Sequence, residues 1–524
     1  MVKKIIFFIF VFMFSICGIM SSEIKWEDEV FYQIFPRSFY DSNGDGIGDL
    51  NGIRQKIPYL KELGITTIWL NPLYLASSYH NYFADDFYKI DTEFGTMEDL
   101  IELNKELHKN NMKILLDMET HYITGDHLWY KDSYQNPKSP YGKFIKYNGE
   151  NNTDPESIIW NIKELPTYDG KKIKLMTLNL YDKELLEYQK NLFAYFADPN
   201  NDGDFTDGID GYRMDHIMDN LDDKNIFTGL LKNFWKPIVE QTKKINPNFF
   251  YLVEPADWGY GDELLTESNF DSAFAMPFRV AMVHFDKNEI VKSIKLSYSK
   301  HQKDKYQFMV IENHDAFPRF ATLSNNNKEK IKLGAMLNIT APGIPCLYYG
   351  QEIGMNGKKI SEEGSDGADI MLRESFEWYK TVKGYGMALW YPERYIKRSF
   401  LKDNDGISYE EEKDDPKSIF NYYKKLIWLR KNNNTLKYGD FNDLSTSNKE
   451  ILAFERNYNN ERIVIIINFS DKKQNTKITF KNKPVIDKKN ELKDLIYDEK
   501  IKYNLFGTNF NINLTPYQSI IVKM

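Results

Sequence analysis

The sequence predicts a closed (β/α)8 barrel with a subdomain inserted after its third strand and a separate β domain at its carboxyl end. Three observations carry this prediction. Short apolar runs alternate with amphipathic segments eight times. Residues 122–175 interrupt that alternation, and near residue 432 the pattern changes to strands alone. The length of 524 residues agrees, since it exceeds one ordinary domain.

The eight apolar runs are predicted to be the barrel strands, with amphipathic segments such as Thr96 to Lys109 and Lys328 to Asn338 as helices between them. The predicted strands are Val30 to Phe35, Thr67 to Leu70, Lys113 to Asp117, Gly208 to Asp215, Phe250 to Glu254, Ser272 to Ala275, Gln307 to Glu312 and Cys346 to Tyr349.

The domain boundaries follow from the same pattern. Residues 23–121 and 176–432 form the predicted barrel. Residues 122–175 are long, polar and rich in Tyr, Asn, Pro and Gly, which is typical of an inserted subdomain. Residues 433–524 form the β domain, with strands expected at Ile451 to Arg456, Arg462 to Phe469 and Ser519 to Lys523.

The first 22 residues are predicted to be an export signal. Lys3 and Lys4 precede the apolar run Ile5 to Met20, so the mature protein is expected to be extracellular, periplasmic or anchored at the cell surface. The run is short for a membrane span, and an uncleaved anchor is the alternative. Cys17 leaves two alternatives open, a lipid-anchored cysteine or an incidental thiol in a removed peptide. With Cys346 the only other cysteine, no disulfide framework is expected.

Composition narrows the possible partners. The 68 basic and 76 acidic residues give a net charge of -8 without a long basic block, which argues against a nucleic-acid groove. Aromatic residues are abundant at 15%, which is compatible with sugar-stacking surfaces, although most of them are expected in the core. A neutral substrate is expected, no membrane span is expected in the mature chain, and the sequence gives no oligomeric state.

Three acids stand where predicted strands stop. Asp215 ends Gly211 to Asp215, Glu254 ends the next strand, and Asp315 closes Asn313-His314-Asp315. Parallel barrels present catalytic groups at the carboxyl ends of their strands. Three carboxylates at that rim indicate acid/base and nucleophilic chemistry on a sugar.

The segment from Asp41 to Asp49 predicts a calcium site. Oxygen ligands are available at every second position, from Asp41, Asn43, Asp45, Ile47 and Asp49. The glycines between them allow the loop to wrap tightly around an ion. A metal-free acidic turn is the alternative. The loop Asp198 to Asp204 is similarly rich in oxygen but lacks the usual closing acid, so both interpretations stay open there.

Several further motifs follow one another along nearly the whole mature length. They are Val30 to Phe39, Leu63 to Pro72, Gly211 to Asp215, Glu254, Asn313 to Asp315 and Gly343 to Glu352. In this order, the motifs resemble the α-amylase family of glycoside hydrolases. The resemblance implies a (β/α)8 TIM barrel with an inserted domain after the third strand and a C-terminal antiparallel β-sandwich.

The resemblance implies a retaining mechanism in which Asp215 is the nucleophile and Glu254 the acid/base. Arg213, two residues before Asp215 on the same strand face, would orient that carboxylate. Asp315 would grip the sugar hydroxyls, with His314 beside it as a hydrogen-bond donor.

The resemblance also implies the residues around the bound sugar. Tyr82 would stack under the ring, His80 would reach its primary hydroxyl, and Asp117 would support Arg213. Arg319 is assigned to substrate on the same basis. Trp258 is either a stacking surface for the leaving-side sugar or an ordinary rim aromatic.

The chain departs from the family pattern around these residues. Where the family writes Asn-His after the third strand, this chain has His121-Tyr122, and where a Lys-His pair is common after the nucleophile it has Met218-Asp219. The acid of the inserted domain appears as Thr177. The common interdomain calcium site and the leaving-side contacts are therefore in doubt.

His80-Asn81-Tyr82 is closer to endo-acting family members, which favours hydrolysis of α-1,4-glucans or maltooligosaccharides. A cyclomaltodextrinase or neopullulanase type, or a transglycosylating relative, is the nearest enzymatic alternative. A non-catalytic glucan-binding protein is the alternative of another class, although such relatives usually lack at least one of the three acids.

Overall fold

The computed structural model describes residues 24–300, 304–362, 364–486 and 491–524. The predicted signal, with Cys17, lies outside these residues. Within the described ranges, every helix is too short or too polar to cross a membrane.

Eight parallel strands close into a barrel, each beside its neighbours in chain order, which confirms the predicted fold class. They are β1 (Phe31–Ile34), β2 (Thr67–Leu70), β3 (Lys113–Met118), β4 (Gly211–Ile217), β5 (Phe250–Pro255), β6 (Ser272–Phe274), β7 (Tyr306–Met309) and β8 (Ile344–Tyr348).

Alternation along the strands fills the barrel interior. Phe31, Trp69, Phe250 and Phe308 belong to one buried cluster inside it, while the intervening residues of each strand pack outward against the helices. Trp26 lies beneath this cluster and stacks on Phe250 at a ring distance of 4.2 Å. The lower barrel is therefore apolar, and polar side chains collect at its carboxyl end.

Helices cover the outside of the barrel and bury apolar stripes against it. The longer ones are Met97–Lys109, Lys183–Ala197, Lys236–Ile245, Met276–His284, Lys287–Ser299, Lys328–Thr340 and Ile419–Asn432. Short helices are Pro36–Phe39, Leu50–Gln55, Ile57–Leu63, Leu128–Ser133, Asp262–Glu267, Phe320–Leu323, Glu393–Ile396, Tyr409–Glu412 and Asn434–Tyr438.

The inserted subdomain is built on a five-stranded sheet that reaches further back in the chain than predicted. Three of its strands lie within or overlap the predicted insertion, namely Tyr122–Thr124, Glu164–Pro166 and Lys172–Thr177. The strands Tyr74–Ala76 and Ala84–Ile90 come from the loop after β2. That loop bends back on itself as a hairpin, so its strands add to an edge formed later in the chain.

The carboxyl-terminal domain consists of two four-stranded antiparallel sheets around a shared apolar core, as expected for a β-sandwich. One sheet contains Asn442–Asp443, Ile451–Tyr458, Glu461–Asn468 and Ser519–Lys523, and the other contains Ser445–Thr446, Gln474–Thr479, Tyr503–Phe506 and Asn509–Leu514.

Candidate active site

One guanidinium group organises the carboxyl end of the barrel. Arg213 Nη1 donates to Asp117 at 2.8 Å and to Asp215 at 2.6 Å, and Nη2 donates to Glu254. All these side chains occupy inward positions of the barrel strands. β3 carries Asp117, β4 carries Arg213 and Asp215, which share a face because they are two residues apart, and β5 carries Glu254. The structure thus brings three sequence-predicted carboxylates, Asp117, Asp215 and Glu254, onto one buried arginine.

Burial raises the pKa of both Asp215 and Glu254, two of the three carboxylates on this arginine, and the shift of Glu254 is large. Burial and the charge of Asp215 raise the pKa of Glu254 to about 7, against the opposing effect of Arg213. The arrangement can therefore hold a neutral acid beside an ionised carboxylate near neutral pH.

The strand bearing Asp215 is irregular at its end. Its pairing with β5 shifts register between Met214 and Ile217, and His216 adopts a φ of 50°. Such a bulge re-aims side chains and is common beside active sites. β4 therefore continues past Asp215, which the sequence predicted to be the last strand residue.

A hydrogen-bonded chain fixes Tyr82 under the site. Gln33 Nε2 donates to His314 Nδ1, His314 Nε2 lies 2.7 Å from the Tyr82 hydroxyl, and that hydroxyl donates to Asp117 at 2.8 Å. The Tyr82 and His314 rings are stacked at 5.5 Å. Burial lowers the pKa of His314, so the ring is neutral and donates from Nε2 in this assignment.

His80 lies beside Tyr82 and keeps one ring nitrogen available. Its Nδ1 accepts from the Tyr82 backbone amide at 3.2 Å, and burial lowers its pKa to about 3. The neutral ring therefore carries its proton on Nε2. Within the described residues Nε2 makes no hydrogen bond, so it is a donor for a sugar hydroxyl.

Two arginines that the sequence reasoning missed hold the segment around Asp315. Arg373 donates to the His314 carbonyl at 3.1 Å and lies 3.9 Å from Asp315 Oδ1, and Arg279 donates to the Asp315 carbonyl. Partial burial alone would raise the pKa of Asp315, but the positive charges of Arg373, Lys359 and Arg279 outweigh it and lower the pKa. The Asp315 side chain is 47% exposed and ionised.

Contacts between separate loops close the site beside His80. The Tyr79 hydroxyl donates to the Asp366 carbonyl at 3.0 Å, and the Tyr168 amide of the inserted subdomain donates to Asp366 Oδ1 at 2.5 Å. Tyr79 also stacks on Trp390. The loop after β8 and the inserted subdomain thus form one wall here.

Trp258 and Arg319 are placed very differently. Trp258 follows β5, is 36% exposed, and contacts the Phe317 ring at 5.6 Å, so it lines the rim near Glu254 and Asp315. Arg319 is fully buried and donates to the Tyr349 carbonyl at 2.7 Å. No surface of Arg319 is left for a sugar, so its assignment to substrate is corrected to a support of the wall.

Glu119 is a further buried carboxylate that the sequence reasoning missed. Its Oε1 accepts from the His121 ring at 2.7 Å, and its charge, together with burial, raises the pKa of Asp215. Glu119 stands two residues after Asp117 on the same face of the chain, and that spacing could have identified it.

The departures from the family pattern all have local partners. The Tyr122 hydroxyl donates to Asp222 at 2.6 Å, and Met218 Sδ accepts from the Asp222 amide. Asp219 accepts from the Gly229 and Leu231 amides, and the Thr177 hydroxyl donates to the Ser157 carbonyl.

An ammonium group joins the inserted subdomain to the loop after β4. Lys224 Nζ lies within 3.1 Å of Glu156 Oε1, Ser157 O and Oγ, and Ile158 O. These oxygens converge as they would on a cation. A lysine therefore supplies the positive charge at this interdomain junction.

The Asp41–Asp49 loop wraps its carboxylates around its own backbone. Asp41 accepts from the amides of Gly44 and Gly46, and Asp49 caps the helix Leu50–Gln55 through Gly52 N. Among the residues that the structure describes, no three His, Cys, Asp or Glu side chains are preassembled around a metal. Asn43 and the backbone carbonyls can nevertheless supply oxygens, so the loop fits calcium chemically.

Comparisons with known proteins agree with this architecture. A family model described as Alpha amylase, catalytic domain, matches residues 33–439. The chain belongs to the α-amylase family. A second model, described as Alpha-amylase SusG C-terminal domain, matches residues 451–521.

Two curated relatives of this α-amylase family member span nearly its full length. "Alpha-amylase 3" of Dictyoglomus thermophilum is 30% identical over 100% of this chain and 99% of its own, and "Oligo-1,6-glucosidase" of Bacillus cereus is 27% identical over 95% and 99%. The crystal structure of alpha-amylase from H. orenii shares the fold, with a TM-score of 0.75 at 24% identity over 94% of this chain and 99% of that one. The chain is thus a glycoside hydrolase of this family.

Proposed function

We propose that the enzyme hydrolyses α-1,4-glucosidic bonds in starch-type glucans or maltooligosaccharides with retention of configuration. The observation that carries the proposal is the single guanidinium of Arg213, which holds Asp215 and Glu254 together. Retaining glycosidases need two carboxyl groups close to one another, one ionised and one protonated. The raised pKa of Glu254, about 7, supports its role as the protonated partner.

In the proposed first step, an Asp215 oxygen bonds to the anomeric carbon while the glycosidic C–O bond breaks. The leaving oxygen takes the proton of Glu254. In the second step, a water molecule gives its proton to Glu254 and its oxygen replaces Asp215. Arg213 keeps the nucleophile oriented throughout both steps.

Asp315, His80 and Tyr82 are proposed to hold the sugar that is attacked. Asp315 is ionised and exposed to the site, so it can accept hydrogen bonds from ring hydroxyls. His80 Nε2 can donate to the primary hydroxyl, and Tyr82 offers an aromatic face whose hydroxyl is already engaged with Asp117. Trp258 is proposed to stack on the leaving-side sugar.

The linkage is proposed on sequence grounds. His80-Asn81-Tyr82 resembles endo-acting members, and one full-length relative carries the name alpha-amylase. The other carries the name oligo-1,6-glucosidase, so the α-1,6 linkage must be part of the test.

The test is hydrolysis of soluble starch, maltoheptaose and isomaltotriose, with the anomer of the released sugar followed by NMR. We expect α-1,4 cleavage that gives the α-anomer first. Asp215→Asn should lose roughly three or more orders of magnitude in kcat. Asp219→Asn is the matched control, because Asp219 accepts only backbone amides. Initial release of the β-anomer, or full activity in Asp215→Asn, would disprove the mechanism.

We also propose that Asp41, Asn43, Asp45, Ile47 and Asp49 bind calcium. The alternating oxygens and the glycines at positive φ, Gly44 and Gly46, support this. Chelation of the purified enzyme with EGTA should lower the Tm, and calcium should restore it. Asp45→Asn should reduce that response. An unchanged Tm after chelation would count against any structural calcium.

The proposed location is the cell exterior, with either a cleaved signal or a lipid at Cys17. Expression with and without Cys17→Ala, followed by separation of membrane and medium, distinguishes the two. Retention on the membrane that is lost in Cys17→Ala supports the lipid anchor. Release into the medium in both cases supports ordinary cleavage, and retention in the cytoplasm contradicts export.

A further inference from the structure

The loop of residues 198–207 is an acidic segment for which the proposed chemistry has no use. It joins the helix Lys183–Ala197 to the region before β4, so it lies at the amino-terminal rim, opposite the catalytic carboxylates. Asn104 Nδ2 donates to the Asp207 carbonyl, and His108 Nδ1 lies 2.8 Å from the Thr206 carbonyl. A Cβ at Gly208 would lie 2.1 Å from the Ala197 carbonyl. The loop is thus held firmly at its end.

Its first seven residues follow the same hydrogen-bonding pattern as the Asp41–Asp49 loop. Asp198 Oδ2 accepts from the amide five residues on, at Gly203, as Asp41 accepts from Gly46. Asn200 accepts from the amide two residues on, as Asn43 does. Gly203 and Gly46, at equivalent positions, have φ values of 80° and 90°.

The same correspondence extends to the fifth position of each loop. Asp202 accepts from the amide two residues on, as Asp45 does. One chain therefore builds two loops with oxygen-bearing side chains at positions one, three and five and the same backbone turn. Similarity alone does not identify a ligand, because acidic turns also form without one.

A buried oxygen without a partner provides the independent observation. Asp207 is only 6% exposed, and its Oδ2 accepts from Asn200 Nδ2 at 2.7 Å, which directs the carboxylate into the loop. Its Oδ1 is buried and has no hydrogen-bond partner within the described residues. A buried carboxylate oxygen is destabilising if nothing satisfies it, because it has lost its hydration.

The charge around Asp207 points to a cation as the missing partner. Asp198, Asp202 and Asp204 add negative charge to the same loop. In the described part of the chain no Lys or Arg forms an ion pair with Asp198, Asp202, Asp204 or Asp207. Asp207 also stands ten residues into the loop, so it supplies a closing acid two residues earlier than the twelve-residue pattern would.

We propose that residues 198–207 form a second cation site, selective for a hard divalent ion of the calcium class. The ion is bound by the side-chain oxygens of Asp198, Asn200, Asp202 and Asp207. The Asp204 carbonyl, at position seven of the loop, is the remaining protein ligand. Calcium tolerates such a mixed set of carboxylate, amide and carbonyl oxygens, whereas magnesium demands stricter octahedral geometry. Binding tightens the segment that leads into the strand bearing Asp215.

The test is a calcium titration of the EGTA-stripped full-length protein by isothermal calorimetry, with terbium luminescence as a second readout. Asp207→Asn and Asp202→Asn should each remove one equivalent of bound calcium. Asp202 is exposed, so its variant remains informative if Asp207→Asn folds poorly. Asp45→Asn is the matched control in the other loop and should leave the site at 198–207 intact.

Loss of one equivalent in both Asp202→Asn and Asp207→Asn supports the proposal, whether the wild type binds one ion or two. The inference is wrong if the stoichiometry and the calcium-induced rise in Tm are the same in these variants as in the wild type. It is also wrong if Asp45→Asn alone abolishes all binding. Because every readout is binding or stability, the result is independent of the enzyme's bond specificity.

Discussion

Arg213 makes the protonation of Glu254 and the charge of Asp215 interdependent. A guanidinium donates through fixed, planar N–H groups, so it can hold two carboxylates in one geometry where a lysine ammonium cannot. Its burial behind Trp69 and Phe274 strengthens these interactions. The pH dependence of the enzyme should therefore report on this cluster as a unit.

We expect the activity of the wild type to fall at alkaline pH with a midpoint near the pKa of Glu254, about 7. Glu254 must be protonated to donate to the leaving oxygen, so raising the pH through its pKa removes the active form. The measurement is kcat/KM against pH on maltoheptaose.

Glu254→Gln separates this effect from a general loss of structure. It should lose most activity on maltoheptaose but keep far more on an α-glucosyl fluoride, whose leaving group needs no proton. The fall of activity at alkaline pH, the alkaline limb of the profile, should disappear with that substrate. A limb that persists in Glu254→Gln would assign the titration to another group.

At the residue scale, the sequence identifies functional side chains that lie at inward positions of regular strands. Asp215, Glu254 and Asp117 are found because inward positions recur every second residue. Arg373 could not be found this way, because it lies in an irregular loop after β8 and reaches Asp315 only through the fold. Arg319 shows the opposite error, in which the resemblance alone assigned to substrate a side chain that the fold buries completely.

At the scale of elements, Lys224 joins two segments that meet beside the nucleophile. The loop after β4 also carries Asp222, which accepts from the Tyr122 hydroxyl and lies 3.3 Å from the His216 ring. Movement of that loop therefore reaches the residue next to Asp215. The inserted subdomain and the barrel are coupled through a few side chains.

Lys224→Met should lower the free energy of unfolding by about 1–3 kcal/mol, because it leaves four largely buried oxygens without their donor. The measurement is urea denaturation at pH 7. Lys232→Met is the matched control and should change stability little, since Lys232 pairs with Glu267 but is 69% exposed, and water screens exposed pairs. Equal losses in the two variants would contradict the structural role of Lys224.

The elements themselves were largely predictable, because eight strands and their helices carry clear apolar periodicity. The hairpin of residues 74–90 was not, since its strands are short and the sheet they join is completed by residues far along the chain. The junction at Lys224 leaves no sequence signal either, because two of its four acceptors are backbone oxygens and all four lie far from Lys224 along the chain.

At the scale of the whole molecule, several glutamates are buried without a full ion pair. Glu352 accepts from the Tyr32 and Tyr59 hydroxyls, and Glu374 accepts from Ser399 and the Phe400 amide. Burial raises the pKa of each to about 7. These groups prefer to be neutral in the folded protein.

Glu352 should therefore make the protein less stable as the pH rises from about 4.5 to about 7. A pKa raised on folding means that the folded state binds more protons than the unfolded state in that window, so stability falls with increasing pH and then levels off. Urea denaturation at pH 5 and pH 7.5 measures the change. The free energy of unfolding should fall less between these two pH values in Glu352→Gln than in the wild type. The difference should be on the order of 1–3 kcal/mol. The same loss in both proteins would refute the contribution of Glu352.

Trp26 has a consequence for how the molecule would be presented on a cell. It closes the base of the barrel against Phe250, and Lys113, at the first position of β3, lies over its ring. The polypeptide therefore enters the fold at the pole opposite Asp215 and Glu254. Any tether attached ahead of residue 24 would leave the catalytic opening directed away from the supporting surface, toward polysaccharide in the surroundings.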